Sequence, residues 1–268
     1  MCVNKKLNRL KNILQDMGSV LVAYSGGLDS SFLLKVARDS LKDKVLAVTA
    51  VSETYTKEEL RFARNLCKKF NIRQKIIRTQ ELKDRNFIAN TRERCYFCKK
   101  ELFSRLKDIA KKNKINNIID GTNSDDKNDF RPGTKAKDEF GVRSPLVEAG
   151  ITKKEIRDLS KKMRLPSHDR PQMACLASRI QYGTIITKER LSRIEKAENI
   201  LRKRFGIKGN IRVRDYVNLA RIEVDKPYIP LLLNTDGFVS KLKQLGFRHV
   251  SVDLEGYRTG SMNMESKP

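Results

Sequence analysis

The amino-acid sequence predicts an α/β fold in two parts: a parallel-sheet domain over residues 1–166 and a smaller α+β domain over 167–268. Two observations predict the first part. Short, apolar, β-rich runs alternate with helical stretches of roughly ten or more residues, the pattern of a parallel sheet covered on both faces. The first of these runs ends in a glycine-containing turn that opens directly into a helix. A third observation, the change of character at the Pro-containing stretch LPSHDRPQMACLASR (165–179), marks the junction.

Taken in order, SVLVAY (19–24) is a strand and SSFLLKVARDS the helix that follows it. KVLAVTAV (44–51) is a second buried strand, before the helix TKEELRFARNLCKKF (56–70). IRQKIIRT (72–79) is the third, followed by a polar stretch containing CxxC and a helix around 97–112. INNIIDG (115–121) is a fourth strand; the polar loop TNSDDKNDFRPG, the segment VRSPLVEAG and the helix TKKEIRDLSKKM (152–163) complete this part. Beyond the junction, residues 187–206 carry Leu191, Ile194, Ala197, Ile200, Leu201 and Phe205 at helical spacing. NIRVRDYV (210–217) and LARIEV (219–224) are β-like, TDGFVSKLKQLGF (235–247) is helical and RHVSVDL (248–254) a strand. The tail after Gly260 is expected to be disordered.

The 268 residues are 39% hydrophobic and 33% charged, the balance of a globular chain rather than a disordered one. No apolar run approaches the roughly eighteen residues needed to cross a bilayer. The start, MCVNKKLNRLKNILQDMG, has no apolar h-region, so no secretory signal is expected and the cytoplasm is the default location. The formal charge of +25 attracts polyanions, and nucleic acid or a phosphorylated ligand is considered for that reason. The positive residues are, however, spread along the chain as lysines on helix faces, which reads as general lysine enrichment.

The sharpest local signal is Ser25-Gly26-Gly27-Leu28-Asp29-Ser30-Ser31, set between a strand and a helix. Glycines let the backbone approach an anion, and successive N–H groups at a helix start bind phosphate oxygens. Ser25, Ser30 and Ser31 can add hydroxyl donors. Asp29 suits Mg²⁺ carried by a nucleotide better than bare phosphate. A glycine-rich turn with Ser and Asp capping the helix is the bland alternative. The motif resembles the PP-loop of adenine-nucleotide α-hydrolase-like enzymes, because a Walker loop's Gly-Lys-Ser/Thr ending is absent. That resemblance implies a Rossmann-like, HUP-type domain and an ATP site at the carboxyl ends of the parallel strands, with ATP cleaved to AMP and pyrophosphate.

Five cysteines are present, at 2, 67, 95, 98 and 175. Cys95 and Cys98, in TRERCYFCKKELF, form a CxxC at a helix entrance with Arg94, Lys99 and Lys100 adding positive potential. Two ligands are too few for a metal, and Cys175 is the natural third. Three thiolates suit a [4Fe–4S] cluster with one iron left open for an exogenous ligand such as hydrosulfide. Cys₃His zinc using His168, and a Cys175 that acts alone, remain open. Cys67 falls in line with apolar helix positions and reads as core; Cys2 carries no pattern. His249 stands at a strand start and is assigned nothing. Arg212 and Arg214 leave one strand face, either as a solvated basic surface or as a bidentate phosphate grip.

With the PP-loop, RCYFCKKELF, DGTNSDDKNDFRPG, ACLASR and VRDYVNLARIEV in this order, the sequence resembles the LarE sulfur transferases over roughly residues 5–258. The resemblance implies a substrate, pyridinium-3,5-biscarboxylic acid mononucleotide, whose carboxylates are adenylated and converted to thiocarboxylates on the way to the nickel-pincer nucleotide cofactor. It also implies a homohexamer and a sulfur donor. Ser25, Gly26, Gly27, Asp29, Ser30 and Ser31 match the pyrophosphate loop. Gly121, Thr122, Asn123 and Asp126, with Arg131 behind them, match the second nucleotide-proximal motif. Ser178, Arg212 and Arg214 match the region that binds the substrate phosphate. Cys175 matches the cysteine that single-cysteine members consume as a sulfur source, whereas the presence of Cys95 and Cys98 resembles the three-cysteine [4Fe–4S] subgroup. A PP-loop tRNA thiolase is the nearest alternative, since it shares ATP, cluster and sulfur delivery.

Overall fold

The computed structural model describes residues 3–128, 132–171, 174–233 and 237–264. Its contacts divide the chain into two compact units, and the division does not follow the chain linearly. The first unit holds Met1–Ser52, Lys57–Glu81 and Cys95–Arg170; the second holds Glu53–Thr56, Leu82–Arg94 and Pro171–Pro268.

The first unit runs through α1 (Val3–Met17), β1 (Val20–Ala23), α2 (Leu28–Leu41), β2 (Val45–Val51), α3 (Lys57–Lys69) and β3 (Arg73–Arg78). The short α4 (Arg85–Ile88) belongs to the second unit. Then come α5 (Arg94–Lys112), β4 (Asn117–Ile119), α6 (Gly133–Glu139), α7 (Pro145–Glu148) and α8 (Lys153–Lys162). The four strands form one parallel sheet in the order β3-β2-β1-β4. Side chains alternate across it with the period of an extended strand. Val20, Val22, Val45 and Ala47 enter a core with α1, α2 and α8 through Leu10, Leu14, Phe32 and Ile156. Leu21, Leu46 and Val48 enter the opposite core with Phe103, Leu106 and Ile109 of α5. Burying each such side chain contributes about 1.5–3 kcal/mol, so both faces resist a register slip.

The chain moves outward from β1 to β3 and returns on the other side of β1 to β4. The order therefore reverses between β1 and β4, and the loops leaving their carboxyl ends flank the position where open α/β sheets bind ligands.

The second unit contains α9 (Lys188–Phe205), β5 (Ile211–Tyr216), β6 (Leu219–Val224), α10 (Ile229–Leu233), α11 (Phe238–Gln244), β7 (His249–Val252) and α12 (Ser261–Met264). Thr187 caps α9 by accepting from the Arg190 N–H, and Gly206 ends it in the left-handed conformation at φ 60°. β5 and β6 form an antiparallel hairpin, while β7 pairs parallel to β6. Ala197, Leu201, Ile211, Val213, Ile222, Leu242 and Phe247 make the core.

The expectation of a disordered tail after Gly260 is corrected. Ser261–Met264 is helical, and Ser261 and Met262 are buried. The reason is polar: the Ser261 hydroxyl donates to a Glu223 carboxylate oxygen at 3.0 Å, and the Tyr216 hydroxyl to the Met262 sulfur at 3.6 Å. Residues 265–268 lie outside the described set. Among the described residues no helix is long and apolar enough to cross a membrane.

Candidate active site

A glycine-containing loop joins β1 to the start of α2. Tyr24 closes the strand by donating its N–H to the Val48 carbonyl at 2.9 Å, and its buried ring anchors the turn. Gly26 then adopts φ 78°, a conformation that costs glycine little. Gly27 is the N-cap of α2 and offers no side-chain acceptor, so the helix start retains its positive end. The loop hydroxyls serve each other: Ser25 and Ser30 stand 3.1 Å apart, and the Gly27 N–H donates to Ser25 Oγ at 3.4 Å. Ser31 turns inward, its hydroxyl donating to Tyr24 Oη at 3.4 Å. Asp29 lies in the first turn of α2, with Oδ2 3.4 Å from Lys153 Nζ.

The loop after β4 packs directly on this turn. A Cβ atom on Gly121 would stand 2.8 Å from the Ser30 backbone nitrogen and 2.9 Å from its Cα, so only glycine fits without displacing backbone. Thr122 donates its hydroxyl to Asp120 Oδ2 at 2.7 Å, and Ser144 donates to Oδ1 at 2.6 Å. The Asn123 N–H donates to Asp126 Oδ2 at 3.0 Å, while Asn123 Oδ1 accepts from the Asp125 N–H at the same distance. Asn123 is fully buried, and its Nδ2 has no hydrogen-bond partner among the described residues. Gly121, Thr122, Asn123 and Asp126 thus share one compact loop beside Ser30. Arg131 lies outside the described residues.

In the second unit Arg212 and Arg214 of β5 are 3% and 5% exposed, which rules out the solvated basic surface. Arg214 donates to Glu223 at 2.6 Å, to the Ser261 hydroxyl at 3.0 Å and to the Ser178 carbonyl at 3.2 Å. Arg212 lies against the Tyr257 ring, 4.9 Å from its centroid. Burial, with the neighbouring Arg179 guanidinium, lowers its pKa to about 10, which leaves it cationic at neutral pH. Arg179 itself donates to Glu198 at 2.9 Å. Arg179 and Arg214 are thus paired with Glu198 and Glu223, and Arg212 lies beside Arg179. The buried Arg214 Nε has no hydrogen-bond partner among the described residues, and a buried guanidinium donor of this kind fits an anion.

The NAD synthase family model matches residues 2–173. A pyridinium-3,5-bisthiocarboxylic acid mononucleotide synthase of Lactiplantibacillus plantarum is 38% identical over 252 residues, 93% of this chain and 91% of that protein. The chain belongs to the LarE family of PP-loop proteins. An uncharacterized protein of Synechocystis sp. is 40% identical over 97% of this chain and 98% of its own length. One of Methanocaldococcus jannaschii is 35% identical over 95% and 98%.

The cysteines of this LarE-family chain fall in different surroundings. Cys95 and Cys98 lie near the start of α5, one exposed and the other half-exposed, and the Cys98 thiol donates to Glu81 Oε1 at 3.7 Å. Cys175, in the second unit, is exposed at the start of the 3₁₀ turn Leu176–Arg179, where Arg179 grips its carbonyl at 3.0 Å. Cys67 is core, as its helical spacing predicts, and burial pushes its thiol up to about 12. His168 holds the Leu165 carbonyl at 2.8 Å through Nδ1 and Asp169 at 2.8 Å through Nε2. Among the described residues no group of three or more His, Cys, Asp or Glu side chains is gathered to hold a metal ion.

Reading the sequence alone missed Lys153, Arg179, Glu198 and Glu223. The first carries one available signal: it follows Thr152 in T-x-x-E, a capping box that the structure forms at the start of α8.

Proposed function

We propose that this chain is an ATP-dependent sulfur transferase that adenylates the carboxylates of pyridinium-3,5-biscarboxylic acid mononucleotide and converts them to thiocarboxylates. The observation that carries this is the near-full-length similarity to a synthase of the corresponding thiocarboxylate, coupled to the Gly121–Ser30 packing that joins two loops at the sheet's switch point.

The chemical problem is that a carboxylate repels nucleophiles and has no good leaving group. Its oxygen attacks the α-phosphorus of ATP, the bond from that phosphorus to the α–β bridging oxygen breaks, and pyrophosphate departs with the electron pair. The phosphate loop and the positive start of α2 offset the charge on pyrophosphate. Asp29, a part-buried carboxylate on the first helical turn, suits Mg²⁺ as an oxygen ligand, and the ion would supply further charge neutralisation. Gly121, Thr122, Asn123 and Asp126 line the nucleotide side. Ser178, Arg212 and Arg214 hold the substrate phosphate. A sulfur nucleophile then attacks the acyl carbon, and AMP leaves with the former carboxylate oxygen.

Cys95 and Cys98, accessible and one helical turn apart, fit a thiolate-ligated group in donor type, and Cys175 adds a third accessible thiol. These three would hold a [4Fe–4S] cluster, which when bound supplies a place to carry exogenous sulfide. A homohexameric assembly accompanies the same reading.

Incubation with the mononucleotide, Mg²⁺–ATP and sulfide, followed by mass spectrometry of the small molecule, tests the proposal. Replacement of a carboxylate oxygen by sulfur is expected. An unaltered mononucleotide beside thiolated tRNA would overturn it.

A further inference from the structure

Lys153 directly follows the capping threonine of α8, and the fold aims it at the phosphate loop. It is the first residue of α8, and its position is fixed from three sides. Its backbone N–H donates to Asp125 Oδ2 at 2.8 Å. Just before it, the Ile151 carbonyl accepts from the Ser124 N–H at 3.0 Å. Just after it, Glu155 accepts from the Thr152 N–H at 2.9 Å and from Lys6 Nζ of α1 at 2.8 Å. The start of α8 is thereby fastened to the same 121–126 loop that packs on Ser30. From there the side chain reaches Asp29, Nζ to Oδ2 3.4 Å.

That ion pair contributes little to stability. The two side chains are 35% and 21% exposed, and pairs of this kind contribute about 0–1 kcal/mol. It is also exchangeable. A divalent cation arriving with a nucleotide competes for the Asp29 carboxylate and releases the ammonium beside the very N–H groups that face phosphate.

We propose that Lys153 is a phosphate-binding residue of this site, held on Asp29 until Mg²⁺–ATP arrives and then paired with the departing pyrophosphate. This rests on the adenylation reading above. When the acceptor oxygen bonds to the α-phosphorus and the bridging bond breaks, negative charge grows on pyrophosphate. A lysine ammonium stabilises that charge as a point charge on a flexible stem, without giving up a proton.

The experiment is titration calorimetry of magnesium pyrophosphate, and separately of AMP, into the full chain and its Lys153→Met and Lys153→Arg variants. Lys153→Met is expected to weaken magnesium pyrophosphate roughly 10- to 100-fold, the loss of a charge-assisted contact. AMP affinity and melting temperature stay unchanged, and Lys153→Arg recovers most of the binding. Unchanged pyrophosphate affinity in Lys153→Met, or a loss shared equally by AMP, overturns the proposal. Because no acceptor is present, the outcome is separable from the sulfur-transfer reading. A wild-type chain that forms no thiocarboxylate, yet loses pyrophosphate binding on Lys153→Met, retains the lysine and discards the acceptor.

Discussion

Gly121 and Ser30 are in contact through backbone alone: a Cβ on the glycine would lie 2.8 Å from the serine nitrogen. The loop leaving β4 therefore fixes the first turn of α2, and any side chain at 121 pushes the two apart. Gly121→Ala is expected to cost about 1–3 kcal/mol of stability through overpacking and to weaken ATP binding more than tenfold. Urea unfolding and ATP titration check the two effects. ATP affinity equal to wild type would show that the loops are not coupled.

Glu223 is fully buried and serves Arg214 at 2.6 Å, Arg221 at 3.1 Å and Ser261 at 3.0 Å. Removing one member of a buried ionic cluster strands the others, at a cost of about 3–5 kcal/mol. Glu223→Ala is expected to lower the unfolding free energy from urea titration by that amount and Glu223→Gln by less, since the amide oxygen still accepts. Equal stability of the Ala variant and wild type would contradict the assignment.

The Glu155 pKa is lowered in the folded chain. Burial alone would raise it, and the Lys6 ammonium, the Thr152 N–H and the Thr152 hydroxyl together outweigh burial. A depressed carboxylate pKa contributes stability above its unfolded value, near 4.5, and loses it as pH falls through the lower folded value. Glu155→Gln should therefore melt below wild type at pH 7, and the two should converge under acid. A gap that stays constant down to pH 3 would contradict this.

Much of the first unit was legible in the sequence because its strands are buried on both faces. Val20 and Val22 go to one core and Leu21 to the other, so the run is apolar throughout and stops at a glycine turn. The phosphate loop was legible because phosphate binding demands backbone approach, which restricts residue type. Lys153 was not. Its partner Asp29 lies 124 residues away, and TKKE has the composition of any helix start. The arginine pair was legible as a shared face but not as buried, because Glu223 is contributed by the next strand and Ser261 by the tail. Nor did LEGYRTGSMN advertise a docked helix, whose anchor is a hydroxyl rather than an apolar stripe.

The thiols separate by environment. Maleimide labelling at pH 8 is expected to modify Cys95, Cys98 and Cys175 in native metal-free protein, and Cys67 only after denaturation. Its burial and a pKa near 12 keep it unreactive. Anaerobically prepared protein should contain about four irons and four acid-labile sulfides per chain, and each Cys→Ala change should lower both. Intact-protein mass spectrometry after turnover should find Cys175 unaltered. A Cys175 lighter by the mass of H₂S would mean that the protein itself is the sulfur source.

In the proposed reaction, the loop at Ser25–Ser31 holds ATP while it is split at the α-phosphorus and an acceptor carboxylate is adenylated. Its most direct test is nucleotide analysis after incubation with Mg²⁺–ATP, the mononucleotide and sulfide, using wild type and Asp29→Ala side by side. AMP and pyrophosphate are expected from wild type only when the acceptor is present, with Asp29→Ala folded but inactive. ADP and inorganic phosphate, or AMP formed at the same rate without the acceptor, would contradict it.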